Sequence, residues 1–210
     1  MSRFESSRFV RNNAVMNQEC LIAACDKLGW KYKVMNGVTY VTDIGIDISF
    51  GAEYAIKVEG STVTYNTYYF GHTEEYVKKL QEEYNALNVE YSKIVTINAF
   101  KKHGFTYKSN PSFTPNGKER ISFYMIGRSN IKEEDEPIGQ IKFTILNDGT
   151  IISDSDYLPE DVNKRAHASM DDIDENFSSS RVMTRKEIPD KYRHKVMRDS
   201  NNHVVNINKH

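Results

Sequence analysis

The sequence predicts an α+β fold, in which an antiparallel β-sheet meander packs against two or three helices and is followed by a C-terminal β-hairpin and a polar tail. Three observations predict it. Apolar residues recur at helical spacing in two regions, they alternate with polar residues between those regions, and most of the large ones lie within the first 128 of the 210 residues. Spacings of three and four residues are typical of amphipathic helices, and alternation is typical of half-buried strands.

The first helix is expected over about residues 13–28. Leu21, Ala24, Cys25 and Leu28 would share one face, since residues three, four and seven positions apart lie on the same side of a helix. Gly29 follows as a C-cap signal, because glycine adopts the left-handed conformation at little cost.

An antiparallel meander of four or five short strands is expected next. Asn36-Gly37 is the strongest short hairpin signal in the chain, because both residues accept the positive φ angles of a tight turn. Alternation of apolar and polar residues predicts strands at residues 30–34, 38–41, 44–50, 54–58 and 63–65. Together they would form a sheet with one apolar face.

Two further helical segments follow the meander. Thr73 is the predicted N-cap of the first, with two acidic residues after it, where the helix dipole favours negative charge. Helical spacing extends over Val77–Leu87 and again over Tyr91–Ala99. The two stretches are either separate helices or one helix with a break near Asn88.

Beyond these helices, strands are expected at residues 105–107 and 121–125, on either side of a loop. Asp148-Gly149 then marks the turn of a further hairpin. Two strands alone are marginally stable in water, so this hairpin either extends the main sheet or waits for a partner. A weak helix is predicted over residues 160–177, and disorder from residue 178 onward.

These elements suggest a division of the chain into four segments. They are an α+β domain at residues 1–128, a charged linker at 129–137, a β-hairpin at 138–157, and a polar, weakly structured tail at 158–210.

The formal net charge of −1 hides two opposite blocks. Residues 130–176 contain 13 acidic and 4 basic side chains, and residues 177–210 contain 8 basic and 3 acidic ones. A basic tail after an acidic block either folds back on it or binds an acidic partner, and both segments also fit a solvated, poorly packed chain.

Two cysteines and the absence of long apolar runs predict a reduced, cytoplasmic protein. Cys20 and Cys25 lie five positions apart, so they point about 140° apart around a helix and form no easy disulfide within it. No apolar run approaches the length of a membrane span, and the basic N-terminal residues lack the apolar core of a secretory signal.

Several motifs in the first part of the chain are familiar as a group. They are Ser2–Phe4, Asp26–Lys31, Asp47–Phe50, Glu53–Ile56, Ala99–Phe105 and Ile121–Arg128. Through them, residues of about 2–128 resemble the hypothetical chloroplast reading frame thirty-five family, a domain of unknown function found in plastid, cyanobacterial, bacterial and phage genomes. Tryptophans that the family carries in the region of residues 65–72 are missing here, and the long polar tail is a second departure.

The later hairpin carries a second resemblance. Gln140–Ile145 with Asp148-Gly149 resembles a short companion family that is often encoded beside the first. Neither resemblance implies a catalytic motif. Members of the first family often lie near an ATPase of the AAA class, so the resemblance implies an adaptor or regulatory role.

No catalytic, metal or cofactor site is predicted. The six histidines have no metal-ligand spacing with each other or with a cysteine. His72 and His103 flank helix ends, where histidine caps or is solvated. The acidic cluster could attract a hard cation, but it lacks the glycine and spacing of an EF-hand loop and fits a solvated face; it comprises Asp171, Asp172, Asp174 and Glu175.

The sequence therefore predicts a non-enzymatic protein-interaction or adaptor module, acting with an ATPase of the AAA class or a larger assembly. Nucleic-acid binding through an aromatic sheet face and the basic tail is the alternative, and an enzyme with an unrecognised site is the third. Exposed aromatic sheets stack bases, but the basic and acidic residues of the first domain nearly balance. The expected interaction residues are Tyr65, Tyr68, Tyr69 and Phe70, and in the tail Arg181, Arg185, Lys186, Lys191, Arg193 and Lys195.

Overall fold

A computed structural model describes residues 4–10, 16–46, 53–67, 73–128, 137–155, 158–177, 195–198 and 204–207. Its elements, in chain order, are β1 (Phe4–Arg8), α1 (Gln18–Leu28), β2 (Lys31–Met35), β3 (Val38–Asp43), β4 (Ile56–Glu59), β5 (Thr62–Asn66), α2 (Thr73–Lys102), β6 (Phe105–Ser109), β7 (Glu119–Arg128), β8 (Pro137–Leu146), β9 (Ile151–Ser155), α3 (Glu160–Phe177), β10 (Lys195–Arg198) and β11 (Val204–Ile207). The chain divides into two compact units, residues 1–179 and residues 180–210. In the second unit β10 pairs antiparallel with β11, so the disorder predicted from residue 178 does not describe these two strands.

The first sheet is a five-stranded antiparallel sheet in the order β1-β5-β4-β3-β2. Strands β2 to β5 form the predicted meander, and β1, which the sequence did not reveal, adds to β5 with Phe4 opposite Asn66. Asn36 and Gly37 have φ angles of 52° and 75°, as in a type I′ turn, so the predicted hairpin between β2 and β3 is confirmed.

The strand predicted at residues 44–50 is wrong where the structure describes it. Ile44–Ile46 form a bend, because Gly45 has a φ angle of 78°, which ends the extended backbone. Residues 47–50 lie outside the described part of the chain. The next strand, β4, begins at Ile56.

Helix α1 covers the inner face of this sheet and begins later than predicted. Asn17 is its N-cap, since the Asn17 side chain accepts hydrogen bonds from the backbone N–H groups of Glu19 and Cys20. Gly29 ends the helix with a φ angle of 70°, as the sequence predicted. Burial raises the pKa of the Cys20 thiol to about 11 and that of Cys25 to about 12, so both are protonated apolar fillers rather than reactive thiolates.

Helix α2 is one uninterrupted helix of 30 residues, about 45 Å long. The predicted break near Asn88 does not occur, because no glycine or proline interrupts the segment and the Asn88 side chain bonds a distant loop instead of its own backbone. Thr73 is the first helical residue, not the residue before the helix.

Two separate hydrophobic cores pack against this helix. The N-terminal half of α2 contributes Val77, Leu80 and Tyr84 to a core with α1 and the first sheet. The C-terminal half contributes Phe100 to a second core, where its ring contacts that of Phe143 at 5.0 Å between centroids. The helix is therefore shared by both cores.

The second sheet is antiparallel, in the order β6-β7-β8-β9. Strand β8 pairs with β7 along most of its length, from Arg128 opposite Pro137 to Glu119 opposite Leu146. The predicted hairpin at residues 138–157 thus joins β6 and β7, strands of the predicted domain at residues 1–128, in a second sheet. It does not extend the meander, which was one of the two alternatives that the sequence left open.

Helix α3 confirms the helix predicted over residues 160–177. Its buried residues, Val162, Ala166, Ser169 and Ile173, recur every three or four positions and cover the second core. The segment predicted as a weakly structured tail therefore begins with a packed helix, because this narrow apolar stripe has a partner surface to bury it.

The turn between β8 and β9 docks on the middle of α2. Asn88 Nδ2 donates a hydrogen bond to the carbonyl of Asp148, and Ser92 Oγ donates one to the carbonyl of Gly149, both at 2.8 Å. Gly149 approaches so closely that a Cβ atom built on it would lie 2.3 Å from Asn88 Nδ2. These bonds satisfy turn carbonyls that the helix shields from water.

Replacing Gly149 with alanine is expected to lower the free energy of unfolding by about 2–4 kcal/mol. The new Cβ would collide with Asn88, and the φ angle of 85° strains any L side chain. The measurement is urea unfolding followed by circular dichroism. Gly117→Ala is the matched control, since Gly117 has a φ angle of 57° but no atom within 4 Å of a built Cβ. Equal losses in the two variants would contradict the close approach.

Candidate interaction surface

The outer face of the five-stranded sheet, opposite α1, carries a row of polar and aromatic side chains. Strand register places Lys33 opposite Tyr40, Tyr40 opposite Lys57, Lys57 opposite Thr64, and Thr64 opposite Ser6. Because side chains alternate between the two faces of a strand, this row lies opposite the inner row of buried residues. Tyr40 thus lies between two lysines, and one of them, Lys57, stands on the central strand β4.

Three aromatic rings meet on this face. The Tyr54 ring lies 5.4 Å from the Tyr40 ring and 5.7 Å from the Phe4 ring, measured between centroids. Tyr40 and Tyr54 are half-buried, and Phe4 is 48% exposed. We call Phe4, Tyr40 and Tyr54 the aromatic surface. The rings are held against each other before any ligand arrives, and β1 completes the surface by bringing Phe4 to it.

The charge beside the aromatic surface is partly neutralised within the chain. Lys57 Nζ lies 5.9 Å from the centroid of the Tyr40 ring and 2.6 Å from Glu59 Oε2. The hydrogen bond that Lys57 donates to Glu59 is the largest cause of the raised pKa of Lys57. The surface is therefore an aromatic cluster with a zwitterionic border, which can contact apolar, aromatic and mixed-charge groups.

The structure places one of the predicted aromatic site residues in the core. Tyr65 is 5% exposed on the inner face of the sheet, and its hydroxyl donates to Glu74 Oε1 at 3.4 Å. Its register opposite Ile56 fixes that orientation, so it is not an exposed interaction residue. Tyr68, Tyr69 and Phe70 lie outside the described residues.

The basic residues predicted for the tail are for the most part not described. Arg181, Arg185, Lys186, Lys191 and Arg193 lie outside the described part of the chain. Lys195 begins β10, where the backbone pairing places it opposite Ile207.

Sequence reasoning missed Phe4 and Lys57 as surface residues. Phe4 reaches the surface only because β1 pairs with β5. These strands are far apart in sequence: the hydroxyl groups of Ser6 and Thr64, which contact each other, are separated by 58 residues. Lys57 shows a local signal, since it alternates with the buried residues Ile56 and Val58.

A second polar cluster joins the C-terminal end of α2 to α3. Asp172 Oδ2 lies 2.8 Å from Lys102 Nζ and 3.0 Å from His103 Nε2. The hydrogen bond from Lys102, followed by that from His103, lowers the pKa of the Asp172 carboxyl. One oxygen of the Asp172 carboxylate thus contacts both Lys102 and His103, and these contacts hold α3 against the end of α2.

Arg165 strengthens the same junction. Its guanidinium donates to the carbonyls of His103, at 3.2 Å, and Arg128, and lies 5.4 Å from the centroid of the Phe105 ring. A cation that bonds the last carbonyls of a helix complements the negative end of the helix dipole. Arg165 and Asp172 therefore serve to dock the helix.

A groove of about 290 Å³ lies beside this junction, between α2 and α3. Its polar lining includes Lys102, Asp172 and Asn176. These side chains already bond each other or the backbone, since Asn176 Nδ2 donates to the carbonyl of Asp172 at 2.7 Å. In the described part of the chain, no group of three or more His, Cys, Asp or Glu residues is placed to hold a metal ion.

Comparison with protein-family models, with curated proteins and with solved structures found no match to this chain. Of the helices in the described ranges, none is long and apolar enough to cross a membrane.

Replacing Asp172 with asparagine is expected to destabilise the protein at pH 7 and to have less effect in acid. A carboxyl with a lowered folded-state pKa stabilises the fold above its usual pKa of 3.8, and that contribution is lost as the pH falls through the lowered value. Urea unfolding of both proteins at pH 7 and at about pH 3 measures the difference. Asp154→Asn, at an exposed acid of β9, is the control. A difference that stays constant with pH would contradict the assigned pKa.

Proposed function

We propose that this chain is a non-enzymatic binding module that contacts a protein partner through the aromatic surface. The observation that carries the proposal is the contact of Phe4, Tyr40 and Tyr54 on the outer face of the first sheet. A few residues, enriched in Trp, Tyr and Arg, carry most of the binding energy of protein interfaces, and they cluster near the centre. Phe is also enriched at interfaces.

The state of the rings favours binding at low entropic cost. Tyr54 contacts both neighbours and is half-buried in the free protein, so little rotamer freedom is left to lose on association. Phe4 remains 48% exposed and offers the largest apolar contact area of the three.

The charges favour a protein over a nucleic acid. Lys57, the lysine that contacts the rings, already has Glu59 as a counter-ion at 2.6 Å. The carboxylate of Glu59 would repel the phosphate backbone of a nucleic acid, which would have to displace Glu59 in order to bind Lys57. A protein partner can form an interface with an aromatic centre and a mixed-charge rim without displacing Glu59.

The identity of the partner is proposed from the family resemblance alone. That resemblance implies a role as an adaptor, and we propose that the partner is an ATPase of the AAA class or another component of a larger assembly. The aromatic surface supplies the contact, and the chain's own chemistry is limited to recognition.

Binding of single-stranded nucleic acid is the second candidate function. The row of Lys33, Tyr40 and Lys57 favours it, because an aromatic platform between two cations stacks a base and contacts the flanking phosphates. In this alternative the basic residues of the tail would add to the affinity.

The double substitution Phe4→Ser with Tyr54→Ser is expected to abolish capture of the protein partner. It removes two of the three rings while leaving the buried inner face intact. The measurement is quantitative mass spectrometry of proteins captured from the source cells by immobilised wild-type and variant chains. Loss of a major interface anchor lowers affinity by about 30-fold or more.

The matched control is Ile152→Ser, which removes an exposed apolar side chain, 46% exposed, from the second sheet. Proteins retained by this control and lost from the double variant are partners of the aromatic surface. Identical capture by wild type, control and double variant would refute the proposed function.

The nucleic-acid alternative predicts binding of labelled single-stranded oligonucleotides that weakens steeply as salt is raised. Lys33→Gln should reduce the slope of log affinity against log salt by about one. Fluorescence anisotropy measures both quantities. Lack of binding at low salt would eliminate this candidate and leave the protein-binding proposal in place.

A further inference from the structure

Strand β2 is an open edge of the first sheet. It pairs with β3 and stands at the end of the strand order. The type I′ turn at Asn36-Gly37 makes Met35 and Val38 a hydrogen-bonded pair, and alternation then makes Lys33 and Tyr40 the next one. The backbone N–H and C=O of Val34 therefore point away from β3, and strand pairing in the described part of the chain leaves them unused.

The side chains of β2 also differ between the two faces. Val34, 43% exposed, lies on the inner face beside the half-buried Tyr32 at the margin of the core. Lys33 lies on the outer face next to Tyr40 of the aromatic surface. An added strand would thus meet an apolar strip on one face and a positive charge on the other.

Lys33 has no ion-pair partner among the residues that the structure describes. Its neighbour Lys31 does, since Lys31 Nζ lies 2.9 Å from Asp43 Oδ2. Antiparallel pairing of this edge with a second copy, centred so that both strands overlap fully, would place Lys33 opposite Lys33. Like charges directly opposite each other are destabilising, and an acidic residue in that position is favoured.

We infer that the β2 edge accepts an extended segment of a partner protein in which apolar and acidic residues alternate. The segment pairs with the free backbone groups of Val34, places its apolar side chains beside Val34 and Tyr32, and places an acidic side chain beside Lys33. This is strand addition, in which main-chain hydrogen bonds supply affinity and alternate side chains supply specificity. It deepens the proposed function, on which it rests, by assigning a chemical class to the partner's segment.

The added strand would lie on the same sheet as the aromatic surface, with β2 between them. Lys33 and Tyr40 are directly opposite on adjacent strands, so a strand added to β2 continues the outer row that leads to the three rings. One partner can therefore occupy the edge and the aromatic surface together.

The test uses the full chain and a short fluorescein-labelled peptide of alternating glutamate and valine, with fluorescence anisotropy as the readout. Val34→Pro removes the outward N–H and leaves the β2–β3 hydrogen bonds intact, because proline is tolerated where the N–H faces away from the sheet. We expect it to weaken binding at least about tenfold. Val34→Thr, which keeps the N–H and the branched shape, is the matched control and should bind as wild type. Circular dichroism verifies that both variants are folded.

Charge reversal tests the acidic position. Lys33→Glu should weaken binding of the glutamate peptide and create binding of a peptide of alternating lysine and valine. A peptide of the same composition with its glutamates in one block should bind wild type weakly, because it cannot place apolar and acidic residues on opposite faces.

Besides absent binding of the alternating peptide, three results would overturn the inference. They are equal peptide affinity of wild type and Val34→Pro, equal affinity for the block peptide, and a wild-type dimer in sedimentation that Val34→Pro dissociates, which would assign the edge to a second copy. The Phe4→Ser with Tyr54→Ser variant keeps the edge and should still bind the short peptide. If the peptide does not bind but partner capture depends on the aromatic surface, this inference is removed and the proposed function stands. If the peptide binds at the β2 edge but partner capture does not depend on the aromatic surface, the proposed function is removed and strand addition at the edge stands.

Discussion

A single helix shared by two hydrophobic cores is the constraint on which the rest of this structure depends. Tyr84 in the first half of α2 is buried against Phe9, with 5.2 Å between ring centroids, and its hydroxyl receives a hydrogen bond from the backbone N–H of Asn17. Phe100 in the second half is fully buried against the other sheet. A helix that serves both cores must be continuous between them, and the Asp148–Gly149 turn is held against its midpoint.

This arrangement determines which faces are available for contact. The inner face of the first sheet is covered by α1 and the first half of α2, so the inward-facing Val41, Ile56 and Tyr65 are buried. The aromatic rings that alternate to the outer face have no helix over them in the described part of the chain. The same sheet thus buries one set of side chains in the core and leaves the other set on its outer face, which carries the proposed interaction surface and adjoins the β2 edge.

Local signals were sufficient for most elements of the fold. Asn36-Gly37 and Gly29 specify conformations that few other residues adopt, so the first hairpin and the end of α1 could be predicted from short stretches of sequence. The apolar stripe of α3 also depends on short spacings, so the helix could be predicted. Its low apolar content led to the prediction that it is weakly structured, although it is packed. These features depend on residues within one turn or one strand of each other.

The features that could not be predicted depend on distant partners. Asn88 in an apolar stripe suggested a break in α2, and its role became clear only with Asp148, which lies 60 residues away and accepts its hydrogen bond. Phe4 gave no sign of joining Tyr54, because β1 lies far in sequence from β5. Tyr65 and Tyr40 both alternate within strands, and only the packing of α1 and α2 decides which of the two faces inward. The alternation of side chains along a strand is a local property, but which face of the sheet is covered depends on distant elements.

The shared helix also bears on how this polypeptide can be dissected. Cutting the chain in the connection between β7 and β8 would strip Phe123 and Met125, both fully buried, of the strand beside them, and would leave the far end of α2 without α3. The truncated chain would expose apolar core residues and an unpaired edge strand, and both promote aggregation. Residues 1–128, although they hold a complete five-stranded sheet, are consequently a poor stand-alone fragment, whereas residues up to 179 keep both cores closed.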